Sequence, residues 1–310
     1  MSTKVISHAR IPVLIVLASL AVLGVILWRQ VATLPTDRGP EMTLEPSIQG
    51  SLHEAAEKGD VPSIRRAAQS GNVDTHLAEG PRKGMTPLMA AALAGKSVAV
   101  DELLKAGANV EARDAIGRSP LMYAALSGDA PTVRRLLEAN ARVDARDPDN
   151  WTPPLLAAYR GNVDALRLLI EFGANVNNKN KWGQTALMAA ARSGDQATAE
   201  VVLAAKPDVN DQDETGDTAL SLAAQTDTGY ALIERLLAAG ANVNIANEDG
   251  VTPLMRAADR GDKRLLVLLL ERGAKARVKD DTGRDAAAWA KARDDEPGQV
   301  IARLLESAAE

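Results

Sequence analysis

The sequence predicts an all-α fold: a solenoid of about seven to eight helix-turn-helix repeats, preceded by a single N-terminal transmembrane helix. Three observations support this prediction. One short pattern returns about every 33 residues between positions 52 and 284. Each copy contains two apolar segments with helical spacing, joined by a turn that usually contains glycine. Ahead of the copies, residues 11–28 form a run of eighteen uncharged residues, close to the length that a bilayer requires.

The copies of the pattern follow one another nearly in register. Six of them begin at positions 84, 117, 150, 183, 216 and 250 with Gly or Asn, and Thr or Ser stands two places later. An Ala-Ala pair comes next, and several copies end on Leu-Leu followed by Gly-Ala-x-Val. We number the repeats one to eight, with approximate limits at 51–83, 84–116, 117–149, 150–182, 183–215, 216–249, 250–282 and 283–310.

The residue types inside one repeat predict where its two helices begin and end. The Thr or Ser hydroxyl caps the first helix, and the proline that often follows has no N–H to leave unpaired in the first turn. Gly128 and Gly161 permit the positive φ that the turn between the helices needs. The second helix has larger apolar side chains, such as Leu166 and Leu169. A single repeat cannot bury this face alone, so we expect stacked repeats to form the core.

A period near 33 with Thr-Pro-Leu at the start of a short helix resembles the ankyrin repeat, and the resemblance covers about five-sixths of the chain. It implies a solenoid that binds a partner protein through its finger-like turns and first helices. In place of the family's histidine after Thr-Pro-Leu, repeats two to seven have Met89, Met122, Leu155, Met188, Ser221 and Met255. We expect apolar contacts there instead of hydrogen bonds. Asn140 and Lys206 replace the glycine that usually ends the second helix.

The first fifty residues differ in character from the repeats. Residues 1–10 are predicted to be a short tail, 11–30 a transmembrane anchor and 31–50 a tether containing proline and glycine. At about 1.5 Å per residue the apolar run spans roughly 27 Å as a helix. A cleaved signal peptide is the alternative, because the start of the chain is basic. Its best cleavage site, residues 19–21, lies inside the apolar run, which favours the uncleaved anchor.

Flanking charge and cysteine usage favour a bacterial inner-membrane protein with its repeats in the periplasm. Lys4 and Arg10 precede the apolar run, whereas Arg29 and Arg38 follow it. Together with the α-amino group, there are three positive charges before the run and two after it, and this small excess favours a cytoplasmic N-terminus. The chain of 310 residues has no cysteine, as suits an oxidising compartment. A solenoid that faces the cytoplasm is the alternative.

The composition argues against most kinds of catalytic site. Three scattered histidines and the lack of cysteine leave no metal-ligand cluster and no thiolate nucleophile. The sequence has no Gly-x-Ser-x-Gly motif and no phosphate-binding glycine loop. A net charge of −5 with mixed signs argues against general nucleic-acid binding. We therefore expect no catalysis, no cofactor, no metal and no small-molecule substrate.

The family's binding positions place the candidate site in repeats two to five. Trp151 and Trp182 fall on adjacent fingers, and we expect exposed rings about 10 Å apart. Exposed tryptophan beside arginine is typical of binding hot spots. The alternative is that the two rings pack together. Tyr123 and Trp289 hold positions that we expect to lie between repeats. The candidate residues are Arg113, Ile116, Arg118, Arg146, Trp151, Tyr159, Arg160, Lys179, Lys181, Trp182 and Arg192.

The predicted function is therefore non-catalytic binding of another protein by a module anchored in a membrane, as an inhibitor, immunity or protective protein. Basic residues in the first half of the predicted groove favour a partner with an acidic surface, which they would steer during encounter. The second half of the groove is acidic. The alternative is a structural or assembly subunit of a multi-protein membrane complex.

Overall fold

The computed structural model describes residues 52–69, 71–226 and 230–308, which all belong to one compact unit, residues 47–310. These described residues contain sixteen α-helices and no strand, as the sequence predicts. The predicted transmembrane helix and the tether fall at positions 11–50 and lie outside the described residues. Among the helices of the described part, none is both long enough and apolar enough to cross a bilayer.

The helices form eight pairs, one pair in each repeat. The first helices are α1 (Leu52–Lys58), α3 (Pro87–Leu93), α5 (Pro120–Ser127), α7 (Pro153–Arg160), α9 (Ala186–Ser193), α11 (Ala219–Gln225), α13 (Pro253–Arg260) and α15 (Ala286–Lys291). The second helices are α2 (Val61–Ala68), α4 (Ser97–Lys105), α6 (Ala130–Glu138), α8 (Val163–Glu171), α10 (Gln196–Ala204), α12 (Tyr230–Ala238), α14 (Lys263–Glu271) and α16 (Glu296–Ala308). Each first helix packs on the first helices of its neighbours, and the second helices of repeats one to six do the same.

Small side chains allow the first helices to approach one another closely. Ala124 and Ala125 of α5 are fully buried, and so are Ala157 and Ala158 of α7. Leucines complete the core between the two rows of helices, and Leu187 of α9 is 1% exposed. Because these side chains are shared between repeats, the stack as a whole forms the core that one repeat lacks.

The methionine that replaces the family's histidine closes a capping box at the start of the first helix. In α3 the Met89 N–H donates to the Thr86 hydroxyl at 3.3 Å, and the Thr86 N–H donates to the Met89 sulfur at 3.4 Å. The same exchange occurs in α5, α9 and α13. A thioether is a weak acceptor. Both hydrogen bonds lie within one repeat, so they leave open the prediction that apolar contacts replace the histidine's hydrogen bonds between repeats.

Repeat one keeps a histidine at this position, and its ring links two repeats. His53 is 4% exposed, and its Nε2 lies 2.9 Å from the carbonyl oxygen of Met85, 32 residues further along the chain. Burial lowers the pKa of His53 below 6.5, although hydrogen bonds to the backbone of Met85 and Thr75 oppose this shift. The N-terminal repeat therefore carries a buried histidine that is stable in its neutral form.

Backbone hydrogen bonds tie successive fingers together. The Lys181 N–H donates to the Asp149 carbonyl at 2.9 Å, and the Glu214 N–H donates to the Trp182 carbonyl at 2.9 Å. Pro148 occupies the equivalent donor position one finger earlier and has no N–H to offer. The fingers lie so close that a Cβ on Gly216 would come within 2.7 Å of the next finger's backbone. This series of bonds holds the finger row in register along the repeats.

Candidate functional site

The candidate site lies where the fingers meet the first helices of repeats four and five. Its surface consists of Tyr159 and Arg160 at the end of α7, Lys181 and Trp182 on the next finger, and Arg192 in α9. We call these five residues the central groove. Tyr159, Trp182 and Arg192 are half-buried, whereas Lys181 and Arg160 are exposed.

A buried tryptophan, Trp151, packs against the aromatic rings of the central groove. The Trp151 ring lies 5.5 Å from Tyr159 at an interplanar angle of 77°, and 6.2 Å from Trp182 at 64°, between ring centroids. Both are edge-to-face arrangements, which aromatic pairs prefer over face-to-face stacking. Trp151 itself is 3% exposed. The prediction of two exposed tryptophans about 10 Å apart is therefore wrong for Trp151, and the alternative of packed rings is the one observed.

The position of Trp151 within its finger explains why it is buried. Its N–H donates to the Asp147 carboxylate at 2.9 Å, and its carbonyl accepts from the Asp147 N–H at 3.1 Å. These bonds direct the chain from the finger back to the first helix. Arg118 and Gln184 occupy the same place in the neighbouring repeats and are 7% and 9% exposed. This place in the repeat is therefore a packing position, whichever residue type occupies it.

The prediction is also wrong for Arg118, which is buried and does not belong to an exposed surface. Its Nε lies 3.6 Å from the Asp147 carboxylate, which is longer than a hydrogen bond. No described residue accepts a hydrogen bond from this Nε. Burial raises the pKa of Asp147, although the hydrogen bond from the Trp151 N–H and the attraction of Arg118 act to lower it. The pair belongs to the interior between repeats three and four.

A fixed cation covers one face of the exposed tryptophan. The Lys181 ammonium lies 4.5 Å from the centroid of the Trp182 ring and 2.5 Å from the Asp149 carboxylate. The carboxylate holds the ammonium in place, and the cation is attracted to the ring's negative face. Trp182 therefore keeps a defined orientation while part of its ring remains open to solvent.

The two arginines of the central groove differ in their pairing. Arg192 lies 3.8 Å from the Asp213 carboxylate, which is itself nearly buried. Arg160 forms no salt bridge and no side-chain hydrogen bond within the described part of the chain, and it is exposed at the end of α7. The central groove therefore presents one cation that this chain does not neutralise.

The basic row predicted from Arg113, Arg146 and Lys179 links successive repeats. Arg113 donates to the Arg146 carbonyl at 3.2 Å, and Lys179 donates to the Gln212 carbonyl at 3.2 Å. Arg146 donates to the Asn178 amide oxygen at 2.7 Å. At the next position the neutral Gln212 donates to the Ala246 carbonyl at 3.2 Å. A neutral amide at this position can therefore make the same link as a charged side chain, which residue types alone did not reveal.

Ile116 lies outside the central groove. It sits at the tip of the finger between repeats two and three with 53% of its surface exposed, and its N–H donates to the Asp114 carboxylate at 3.1 Å. The structure thus brings Tyr159, Lys181 and Trp182 into one cluster with Trp151, whereas Ile116 lies two fingers away from Trp182.

Tyr123 and Trp289 are buried between repeats, as predicted, with 3% and 4% of their surfaces exposed. Each aromatic side chain also donates a hydrogen bond to a finger carboxylate. The Tyr123 hydroxyl lies 2.5 Å from Asp114, and the Trp289 indole N–H lies 2.8 Å from Asp280. Burial, together with the hydrogen bond to Asp114, raises the pKa of the Tyr123 hydroxyl.

The acidic half of the finger row is smaller than the sequence suggested. Asp217 is 7% exposed and accepts two hydrogen bonds from Arg256, at 2.9 and 3.0 Å. This buried pair was not predicted, because the two residues are 39 positions apart. The carboxylates that remain exposed on the last three fingers are Glu214, Glu248, Asp249 and Asp281.

The arrangement provides a surface for binding. Within the described ranges, no group of three His, Asp or Glu side chains could hold a metal ion. The surface of the central groove consists of two half-buried rings and three basic side chains.

The family comparison agrees with this architecture. A family model described as ankyrin repeats (3 copies) matches residues 52–147, 128–213, 203–280 and 220–307. A comparison with curated proteins gives no match. Ankyrin repeats are generally non-catalytic scaffolds and indicate a protein–protein interaction module. Because the matches cover most of the chain in the register of the observed helices, the chain belongs to the ankyrin repeat family.

Proposed function

We propose that this protein is a membrane-anchored, non-catalytic module that binds a partner protein through the central groove. The observation that carries the proposal is the aromatic cluster, in which buried Trp151 contacts both half-exposed rings, Tyr159 and Trp182. Rings that are already fixed lose little conformational entropy when a partner covers them, so more of the contact energy appears as affinity.

The residue types of the central groove support the same proposal. Tyr, Trp and Arg dominate binding hot spots, because they combine a large contact area with hydrogen-bonding groups. Tyr159 and Trp182 both contact the Trp151 ring, and Arg160 follows Tyr159 at the end of α7, so all three residue types belong to one part of the solenoid. A partner that buries this surface also covers Lys181, whose ammonium is held against the Trp182 ring.

Membrane attachment is the second part of the proposal. It is supported by the uncharged run at residues 11–28 and by the basic residues before it. An anchored module meets its partner in a thin layer at the membrane, which raises the effective concentration of both. We place the repeats in the periplasm of a bacterial inner-membrane protein, where the module acts as an inhibitor, immunity or protective protein for an envelope partner.

Site-specific photocrosslinking in the native host tests the use of the central groove. A photoreactive amino acid at Ser193, the exposed last residue of α9 and the equivalent of Arg160 in the next repeat, should crosslink one partner of defined mass. The matched control is Ala197, an exposed alanine of α10 in the same repeat. Adducts from position 197 alone would reject the groove, and a fixed set of several stoichiometric partners would favour a structural subunit.

A reporter fusion tests the topology. An alkaline phosphatase attached after Glu310 folds only in an oxidising compartment, so we expect it to be active, and protease added to spheroplasts should digest the repeats. An inactive fusion, with repeats protected until lysis, would place the solenoid in the cytoplasm.

A further inference from the structure

We propose that the partner presents a short acidic segment with an apolar side chain to the central groove, and that exposed carboxylates on later fingers exclude this segment from the rest of the row. This inference rests on the proposed function and names the chemistry of the partner. It follows from the charges that the chain leaves uncompensated on each half of the finger row.

The half of the row around repeats four and five has a surplus of cations. Its carboxylates are already paired, since Asp149 lies 2.5 Å from Lys181 and Asp211 lies 2.6 Å from Lys179. Two arginines there have no carboxylate partner among the described residues. Arg146 donates only to the neutral amide of Asn178, and Arg160 is exposed and unpaired. Anionic groups along a partner segment would gain attraction to these arginines without breaking an existing salt bridge.

Aromatic rings beside these cations add an apolar requirement. Tyr159 and Trp182 are half-buried and flank the fully covered Trp151 ring. Their remaining exposed surface is too small for a large hydrophobic patch, and it suits a single apolar side chain flanked by charged neighbours. A purely polyanionic ligand would leave the exposed part of the rings in water, so its binding would gain electrostatic attraction but no burial of apolar surface.

The last three fingers have the opposite surplus. Glu214, Glu248, Asp249 and Asp281 are exposed, and none of them forms a salt bridge within the part of the chain that the structure describes. An acidic segment that extended over these fingers would meet like charges, and such repulsion is how an interface rejects a wrong register. The charges therefore confine the segment to the first half of the row.

The available length sets the size of the segment. Neighbouring helices lie about 10 Å apart, so three repeats provide roughly 20–30 Å. An extended chain covers about 3.3 Å per residue, which corresponds to about six to nine residues. The segment is thus a short linear element of the partner rather than a whole acidic domain face.

Fluorine NMR of the full-length chain labelled with 5-fluorotryptophan provides a direct test. The chain has four tryptophans, so the spectrum is simple and single Trp→Phe variants assign it. The probe is a capped peptide with three repeats of Glu-Leu-Ser, and its companions carry Gln or Lys in place of Glu. We expect the Glu peptide to shift the Trp182 signal, and the shift should become smaller as salt is added. The signal of the buried Trp289 should not move.

Charge reversal locates the interaction. The double variant Arg146→Glu with Arg160→Glu should weaken the Glu peptide at least about tenfold, since two attractions become repulsions. The matched control reverses Arg134 and Arg167, two exposed arginines on the second helices of repeats three and four, and should bind like the wild type. Replacing Glu248 and Asp249 by Lys should let a peptide of twice the length bind more tightly.

Several results would overturn the proposal. An acidic segment is rejected if the Gln peptide binds as tightly as the Glu peptide or if the Lys peptide binds more tightly. It is also rejected if no peptide shifts the Trp182 signal, or if the two arginine double variants lose the same affinity for the Glu peptide. If crosslinking from position 193 still captures a partner in such a case, the proposed use of the groove stands and only the acidic chemistry of the partner is wrong. If crosslinking also fails, the proposed function falls as well.

Discussion

At the scale of single residues, Trp151 orders the side chains around it. It is 3% exposed and contacts both Tyr159 and Trp182 edge to face. A large ring in this place supports two others, and their exposed parts form the surface of the central groove. The residue that matters most for the arrangement is therefore not the one that a partner would touch.

The first prediction concerns stability. Trp151→Ala should lower the free energy of unfolding by about 3–5 kcal/mol, because it removes a buried ring and leaves a cavity. Trp182→Ala should cost clearly less, because Trp182 is only half-buried. Thermal melts followed by circular dichroism compare the two variants, with Trp151→Phe as the conservative control. Equal melting temperatures for both alanine variants would contradict the packing role of Trp151.

Residue types predicted the neighbourhood of the site but not its exposed members. Tyr159, Arg160 and Trp182 were predicted to be exposed, and each keeps solvent-exposed surface in the structure. Trp151 and Arg118 were placed with them and are buried, because the turn after each finger directs that side chain inward. The alignment of the repeats in the sequence does not reveal where this side chain points, because its direction depends on backbone hydrogen bonds and on contacts with the neighbouring repeat.

At the scale of elements, the period of about 33 residues was sufficient to predict the helix pairs and their order. Each first helix has its own cap, its own alanine pair and its own turn, so local chemistry and global stacking agree. The side-chain links between repeats were not predictable in this way. Asp217 and Arg256, for example, meet only because the stacking brings positions 39 residues apart into contact.

The second prediction concerns the row of side chains that links the fingers. Arg113→Gln should leave the melting temperature nearly unchanged, because Gln212 already makes the equivalent bond with a neutral amide. Arg113→Leu should cost about 0.5–1.5 kcal/mol through the lost hydrogen bond. If both variants lose the same stability, charge rather than hydrogen bonding explains the row.

The third prediction concerns acid sensitivity at repeat one. The pKa of His53 lies below 6.5 in the folded chain, so the unfolded chain takes up a proton first as the pH falls. The free energy of unfolding should therefore decrease as the pH falls below about 6.5, until the folded histidine also protonates. Urea melts between about pH 7 and 5 should show this slope, and His53→Gln should reduce it. An unchanged slope in His53→Gln would contradict this role of His53.

At the scale of the whole molecule, stability and recognition are distributed differently. Stability comes from contacts between neighbouring repeats, repeated along the stack. In the proposed function, recognition depends on repeats four and five, where half-exposed aromatic rings and the unpaired Arg160 belong to the same groove. The four exposed carboxylates of the last three fingers lie outside the core, and they give the finger row a charge difference from one half to the other.

The most direct test of the central claim is the affinity of the full-length chain for its crosslinked partner, measured by calorimetry with the purified proteins. Tyr159→Ala with Trp182→Ala should weaken binding at least about 30-fold, as expected for hot-spot truncation. The control pair, Val98→Ala with Phe172→Ala, removes apolar side chains that are 61% and 40% exposed elsewhere, and it should bind like the wild type. Unchanged affinity in the first pair with a loss in the control pair would contradict the account.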